Sequence, residues 1–248
     1  MIKLKGPADV EGIRSAGRII HQIFQLLSER IKPGVSTWDL DQFIEKYIVS
    51  HGGRPAFKGY RGFPAASCIS VNEEVVHGIP SEKKVLKEGD IVGVDIGVEK
   101  DSYYADAAYT FAVGQVSEED ERLMQITHYA LMRAIEKAKT ARRIGDISYV
   151  IQRTVEREGF SVVREFVGHG VGFEIHEPPM VPNYGRPGTG EKIKPGLVLA
   201  IEPMVNAGTW EVVIDPHDNW TVRTKDRKKS AHYEHTIAIL EGEVQILT

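Results

Sequence analysis

Residues 90–114, DIVGVDIGVEKDSYYADAAYTFAVG, read as two strands joined by a tight polar turn. The arms IVGVDIGV and YYADAAYTFAV carry β-branched and aromatic residues, and Lys100-Asp101-Ser102 between them is turn chemistry. Each arm holds one acid in apolar surroundings, Asp95 and Asp106. A turn centred between Lys100 and Asp101 predicts that the two carboxylates face each other directly, with Cβ atoms roughly 5 Å apart. Two ionised carboxylates that close repel unless a cation lies between them or one keeps a proton. The hairpin alone therefore has three readings: a divalent metal pair, a shared-proton acid/base pair, or two structural residues in a turn and a strand end.

The bulk composition narrows the context. A chain of 248 residues, 42% apolar and 27% charged, suits one ordinary globular domain with a full core. A net charge of −4 gives no electrostatic footprint for nucleic acid, so no DNA partner is expected. The single cysteine, Cys68, excludes an internal disulfide framework and a cysteine-based zinc finger. No apolar run reaches the length of a membrane span, and the start MIKLKGPADVEG lacks the apolar region of a signal peptide. A cytoplasmic protein with no membrane partner is the expectation. Any ligand set must come from carboxylates, imidazoles or backbone.

Outward from the hairpin, periodicity predicts a helix over 8–31, with Ile20, Phe24, Leu27 and Ile31 on one stripe. Ser36 with Asp39 forms a capping box for a second helix bearing Leu40, Phe43, Ile44, Tyr47 and Ile48. Residues 54–80 are loop-rich and aromatic, with a strand at 66–71. Ser117 caps a third helix to about Thr140, Arg143-Ile144-Gly145 breaks it, and a fourth runs near 146–158. Strands are predicted at 161–167, 197–205, 210–214, near 219–224 and at 231–240.

That order repeats itself in one register. Gly52 and Gly159, Lys87 and Lys194, Gly89 and Gly196, and Asp95 and Glu202 are each 107 residues apart. His77 in HGIP and His176 in HEPP each precede a proline by three residues. We therefore expect an α/β (α+β) chain forming a single domain, 1–248, from two halves, roughly 8–114 and 118–241, related by a pseudo-two-fold. A central, mostly antiparallel sheet would be covered by helices, and equivalent acids would meet at the axis.

The second half supplies Glu202 in VLAIEPMV and Glu234 in AHYEHTIAIL, both read as apolar strands, and His169 between small residues in VGHGVG. Buried carboxylates without partners are costly. Four carboxylates and one imidazole match two divalent ions in charge. Such a pair polarises a carbonyl and acidifies a water toward attack near neutral pH, which is metal-assisted hydrolysis. Each residue alone has a structural reading; for the five together a metal site is the stronger one. His77 and His176 remain, placed to hydrogen-bond a scissile amide or its oxyanion, or only to anchor their proline loops.

The motifs GYRGFPAASCISVNEEVVHGIP, GDIVGVDIGV with DAAYTF, GHGVG with IHEPP, VLAIEPM and YEHTIAIL resemble those of type I methionine aminopeptidases of bacterial form, over nearly the whole chain and in the same order. The resemblance implies the "pita-bread" fold and removal of the initiator methionine from nascent polypeptide N-termini when the next residue is small. It implies that Asp95 chelates one metal, that Asp106 and Glu234 bridge both, and that His169 and Glu202 bind the second. By the same resemblance His77 contacts the scissile amide or the residue after it. His176 stabilises the tetrahedral intermediate, and Glu202 also relays a proton. Tyr60, Phe63, Cys68, Ile175 and Trp220 would line the methionine pocket, an apolar slot suited to a flexible thioether. The family often has tyrosine at Phe63 and phenylalanine at Ile175; both replacements keep the pocket apolar. A monovalent cation near Asn72, Glu74 and Ser230 is a further implication.

The divalent metals expected for such ligands are Mn, Fe, Co or Zn. A monomer is expected. The basic run Lys225-Asp226-Arg227-Lys228-Lys229 reads as a solvated hairpin tip, with a transient ribosome contact as its alternative. Two other functions compete: an Xaa-Pro peptidase of the same fold, and a non-catalytic binding module that has lost its metal ligands. Xaa-Pro relatives carry a large N-terminal domain, whereas here the pocket loop begins at about residue 54; a binding module would lack ligands that this chain retains.

Overall fold

A computed structural model describes residues 2–248. Its helices are α1 (Pro7–Arg30), α2 (Thr37–Ser50), α3 (Glu118–Ala138) and α4 (Ile144–Glu156). The first strands are β1 (Arg54–Pro55), β2 (Cys68–Val71), β3 (Glu74–Val76), β4 (Ile91–Lys100) and β5 (Tyr103–Ala112). After α4 come β6 (Ser161–Val162), β7 (Gly168–Gly170), β8 (Glu177–Val181), β9 (Leu197–Ile201) and β10 (Met204–Asn206). The chain ends with β11 (Val212–Ile214), β12 (Val222–Thr224), β13 (Ser230–His232), β14 (His235–Ile239) and β15 (Val244–Ile246).

Local chemistry explains the helix starts. Proline at the first position of α1 pre-sets its backbone angle, and the Asp9 carboxylate accepts the Gly6 N–H at 2.8 Å. Ser36 accepts the Asp39 N–H at 3.1 Å, and the Asp39 carboxylate turns back to the Ser36 hydroxyl at 2.6 Å. The α3 cap is Ser117, which accepts the Asp120 N–H. α4 starts at Ile144, before the expected position, so Gly145 lies inside the helix rather than breaking it. A Cβ there would lie 2.4 Å from the Arg186 carbonyl oxygen, so this glycine permits a close loop approach.

The hairpin turn lies one residue beyond the expected one. Its two-residue turn is Asp101-Ser102, both with left-handed backbone (φ 52° and 69°), as a type I′ turn requires. Asp95 therefore pairs with Ala108, and Asp106 with Gly97. The shift is two residues, so both acids keep the same face of the sheet as diagonal neighbours.

Every strand pairing is antiparallel among the described residues. β4 pairs with β5 along one edge and with β1 and β2 along the other. A second sheet runs β15-β14-β9-β7-β8, and two three-stranded sheets, β13-β10-β6 and β11-β12-β3, complete the set. One apolar core, with Ile13, Ile20, Leu27, Leu40, Ile44, Val94 and Ile96, joins α1 and α2 to the hairpin. Another, with Leu123, Leu131, Ile147, Ile151, Leu199 and Ile237, joins α3 and α4 to the five-stranded sheet. Full burial of each such side chain contributes about 1.5–3 kcal/mol.

The 107-residue repeat is visible in the backbone. Gly52 and Gly159 take φ values of 75° and 84°, and Gly89 and Gly196 take 87° and 88°. Isolated bridges join Ser36 to Val85 and Arg143 to Lys192, again 107 apart. The capping acids Asp39 and Asp146 obey the same spacing. These are the duplicated halves of the pita-bread fold.

Several long strands predicted from the sequence are interrupted. The strand expected at 197–205 ends at Ile201, because Pro203 has no N–H to donate to the ladder, and resumes at Met204. The strand expected at 231–240 breaks at Tyr233 and Glu234. Only 161–162 of the expected 161–167 strand is paired. Nor is the 225–229 run wholly solvated: Lys229 is half-buried, 2.9 Å from Asp120, and donates to the Gly89 carbonyl.

Candidate metal centre and its apolar pocket

Side chains, not ladder hydrogen bonds alone, tie the two main sheets together. The Thr236 hydroxyl donates to the Asp106 carbonyl at 2.7 Å and accepts the Asp106 N–H at 3.0 Å. The Thr110 hydroxyl does the same for His232, donating at 2.7 Å and accepting at 3.0 Å. Glu234 donates its N–H to the Ala108 carbonyl at 2.9 Å. These contacts place the break between β13 and β14 directly against the acid-bearing hairpin.

The result is one cluster. Ligand atoms of Asp95, Asp106 and Glu234 lie within 4.8 Å of one another, as do those of His169, Glu202 and Glu234, and of Asp106, His169 and His176. His169 Nε2 is 3.4 Å from Glu202 Oε1 and 3.6 Å from Asp106 Oδ2. Its Nδ1 lies 2.9 Å from the Gly170 carbonyl, which leaves Nε2 for a ligand. Glu202 and Glu234 occupy strand interruptions, not the strands expected of them.

Electrostatics show what the cluster lacks. Burial, first of all, pushes the Asp95 carboxyl up to about 7. Burial followed by neighbouring carboxylates pushes Asp106, Glu202 and Glu234 well above the usual range. Asp95 Oδ1, Asp106 Oδ1 and Glu234 Oε1 are buried and accept no hydrogen bond from the protein. Oxygens with no donor on three of four clustered carboxylates fit divalent cations. The histidines move the other way: burial lowers His77 and His169 to about 4. His176, at the rim, falls to about 3 through burial and then the charges of His169, His77 and Arg61. All three imidazoles are neutral at pH 7.

Beside the cluster is a cavity of about 460 Å³. Tyr60, Phe63, Cys68 and Trp220 line it together with Asp95, Asp106, His169, Glu202 and Glu234. Ile175 does not. It packs behind the wall in an apolar cluster with Phe57, Phe63 and Cys68. Phe63 meets Trp220 edge-on at 5.2 Å, and His77 meets Phe166 and Trp220 edge-on at 5.5 and 6.2 Å. His77, at φ 59°, follows β3, and His176 precedes β8 with its ring 4.3 Å from His169. Both therefore border the cavity.

Sequence reasoning missed Phe166, Met204 and Val76 in the cavity wall. It also missed His232, whose Nε2 is buried without a partner 3.8 Å from Glu202 Oε2. The spacing held a signal, because His232 precedes Glu234 by two residues. A second omission is a buried ion pair: Lys5 lies 2.6 Å from Glu177, next to His176 in the chain. Glu177 also accepts the N–H groups of Phe173 and Glu174. The Asn72 carbonyl accepts the Ser230 N–H at 2.9 Å, and the Glu74 carboxylate is engaged by Lys84 and Arg223.

This fold and cluster define a metallopeptidase: the model of metallopeptidase family M24 matches residues 11–241. Methionine aminopeptidase 1 of Bacillus subtilis is 51% identical, covering all of this chain and 99% of the relative. The crystal structure of the Thermotoga maritima methionine aminopeptidase superposes with a TM-score of 0.98 at 46% identity, covering 100% of this chain and 99% of that one. The chain belongs to family M24 and, within it, to the methionine aminopeptidases. It is a metal-dependent hydrolase. A prolidase of Pyrococcus furiosus shares the fold at 24% identity (TM-score 0.80), with this chain spanning 65% of its length and 99% of this chain covered. No helix among the described residues is long and apolar enough to cross a membrane.

Proposed function

We propose that this enzyme removes the N-terminal methionine of new polypeptides whose second residue is small, using two divalent ions. The carrying observation is the opening of an apolar cavity of about 460 Å³ onto a carboxylate cluster with unsatisfied oxygens. Asp95, Asp106, His169, Glu202 and Glu234 would hold the ions. When bound, the ions supply Lewis acidity and an activated water. The chain does the rest. Phe63, Trp220, Tyr60 and Cys68 take up the methionine side chain and exclude water from it. Neutral His77 donates to the amide of the scissile bond, and neutral His176 donates to the oxygen that becomes anionic. Glu202 relays a proton toward the leaving nitrogen.

Backbone oxygens near Asn72, Glu74 and Ser230 would hold one monovalent cation. The working form is a cytoplasmic monomer of one domain, 1–248, in transient contact with the ribosome. Two substrates test the activity: Met-Ala-Ser and a Gly-Pro dipeptide, each with chelator and with Mn, Fe, Co or Zn restored. Metal-dependent release of methionine is expected; cleavage of the proline substrate alone, or silence with every metal, overturns the reading.

A further inference from the structure

The cavity mouth carries an unpaired cation. Arg61 lies in the one-turn segment Tyr60–Gly62, with φ 50°, between Gly59 and Gly62 at φ 84° and 89°. Four backbone hydrogen bonds close this loop: Tyr60 to Phe57, Gly62 to Gly59, Phe63 to Tyr60 and Gly59 to Phe63. Its position is therefore fixed, although its side chain is exposed. The Arg61 guanidinium sits 5.3 Å from the Tyr60 ring centre, and the Tyr60 ring stacks on His176 at 5.1 Å. Among the described residues no carboxylate lies within 4 Å of it, whereas nearby Lys58 is paired with Glu45. On the His77 side of the mouth, the Glu165 carboxylate already accepts the Arg164 N–H at 3.3 Å.

We propose that Arg61 reads the third residue of the substrate and favours an acidic side chain there. This rests on the reading of the cavity as the methionine site. With methionine in the cavity and the scissile bond beside His176, the small second residue follows and the chain leaves past the part of the rim that Arg61 lines. An extended chain advances about 3.3 Å per residue. On that path the third side chain would lie within reach of the exposed Arg61 guanidinium, and a glutamate there would pair with it. An exposed ion pair of this kind is worth about a two- to fivefold change in kcat/KM.

The test uses the metal-loaded enzyme and C-terminally amidated Met-Ala-Xaa-Ala peptides with Xaa glutamate, glutamine or lysine. The wild type should prefer glutamate to glutamine by about two- to fivefold, mostly through KM, and should cleave the lysine peptide least. Arg61→Asn, which tolerates the left-handed backbone, should abolish the glutamate preference, Arg61→Asp should reverse it, and Arg61→Lys should retain it. The preference should also shrink in 0.5 M KCl. A wild type indifferent to the third residue, or a preference surviving in Arg61→Asn, overturns the proposal. Failure to cleave even the glutamine peptide overturns the methionine-site reading and this proposal with it, so the two failures are distinct.

Discussion

The two halves share one frame and furnish the site differently. In the first half, Asp95 and Asp106 ride a regular hairpin on one face. In the second, His169 comes from a three-residue strand, and Glu202 and Glu234 come from breaks in longer ones. Asp95 and Glu202 are equivalent by the repeat, yet one lies mid-strand and the other past a strand end. Duplication thus fixes where the halves meet, and local irregularity then decides which atoms point inward. The N-terminal segment adds a second asymmetry: Lys5 donates its N–H to the Gly196 carbonyl at 2.7 Å and pairs with Glu177.

The largest expected effect comes from removing Asp106, a carboxylate at the centre of the proposed metal site. Asp106→Ala should lower turnover by at least about a thousandfold while circular dichroism remains native. Retained turnover would show that the hairpin and the strand breaks do not act on one centre.

Next is the asymmetric pair. Lys5→Met strands a buried carboxylate beside His176 and should cost about 3–5 kcal/mol in chemical denaturation. A loss below about 1 kcal/mol would mean that the N-terminal segment is not a structural part of the second half.

The pH dependence separates the carboxylates from the imidazoles. Groups raised in the folded state, such as Asp95 at about 7, stabilise the metal-free fold at low pH and lose that effect as pH rises through 7. His77 and His169, lowered to about 4, act oppositely: their contribution is present above about 6.5 and lost as pH falls toward 4. Divalent ions replace the protons on the carboxylates, so the rise in melting temperature with saturating Mn²⁺ should be larger at pH 8 than at pH 5.5. An increment that shrinks with pH would contradict the carboxylate assignment.

The smallest effects probe the repeat itself. Gly52 and Gly159 share a left-handed backbone with open space around them, so alanine at either should cost a similar amount, about 1 kcal/mol. Gly89 and Gly196 should differ. A Cβ at Gly196 meets the Lys5 carbonyl oxygen at 2.9 Å, while at Gly89 the nearest atom is 3.7 Å away. Equal costs for Gly89→Ala and Gly196→Ala would remove the asymmetry assigned to the N-terminal segment.

The sequence made the frame legible because helix caps, glycine turns and the 107-residue register are local signals. Ser36 with Asp39 capped as expected, and Asp95 and Asp106 shared a face even though the turn lay one residue further on. Parity survives a two-residue slip, which is why the acids were found despite the wrong partner. The interruptions at Glu202 and Glu234 were less legible, because VLAIEPMV and AHYEHTIAIL alternate like continuous strands. Pro203 was the available warning. The Lys5–Glu177 pair and the place of Ile175 behind the wall were not legible at all, since they depend on contacts between distant segments.

The central claim is that both halves clasp one pair of divalent ions, and a count of bound metal tests it most directly. Titration of metal-free protein with Mn²⁺ by calorimetry, alongside Asp106→Ala, should give two ions per wild-type chain and a loss of affinity at both sites in the variant. Two ions bound with unchanged affinity in Asp106→Ala, or a wild type that binds none, would contradict the account.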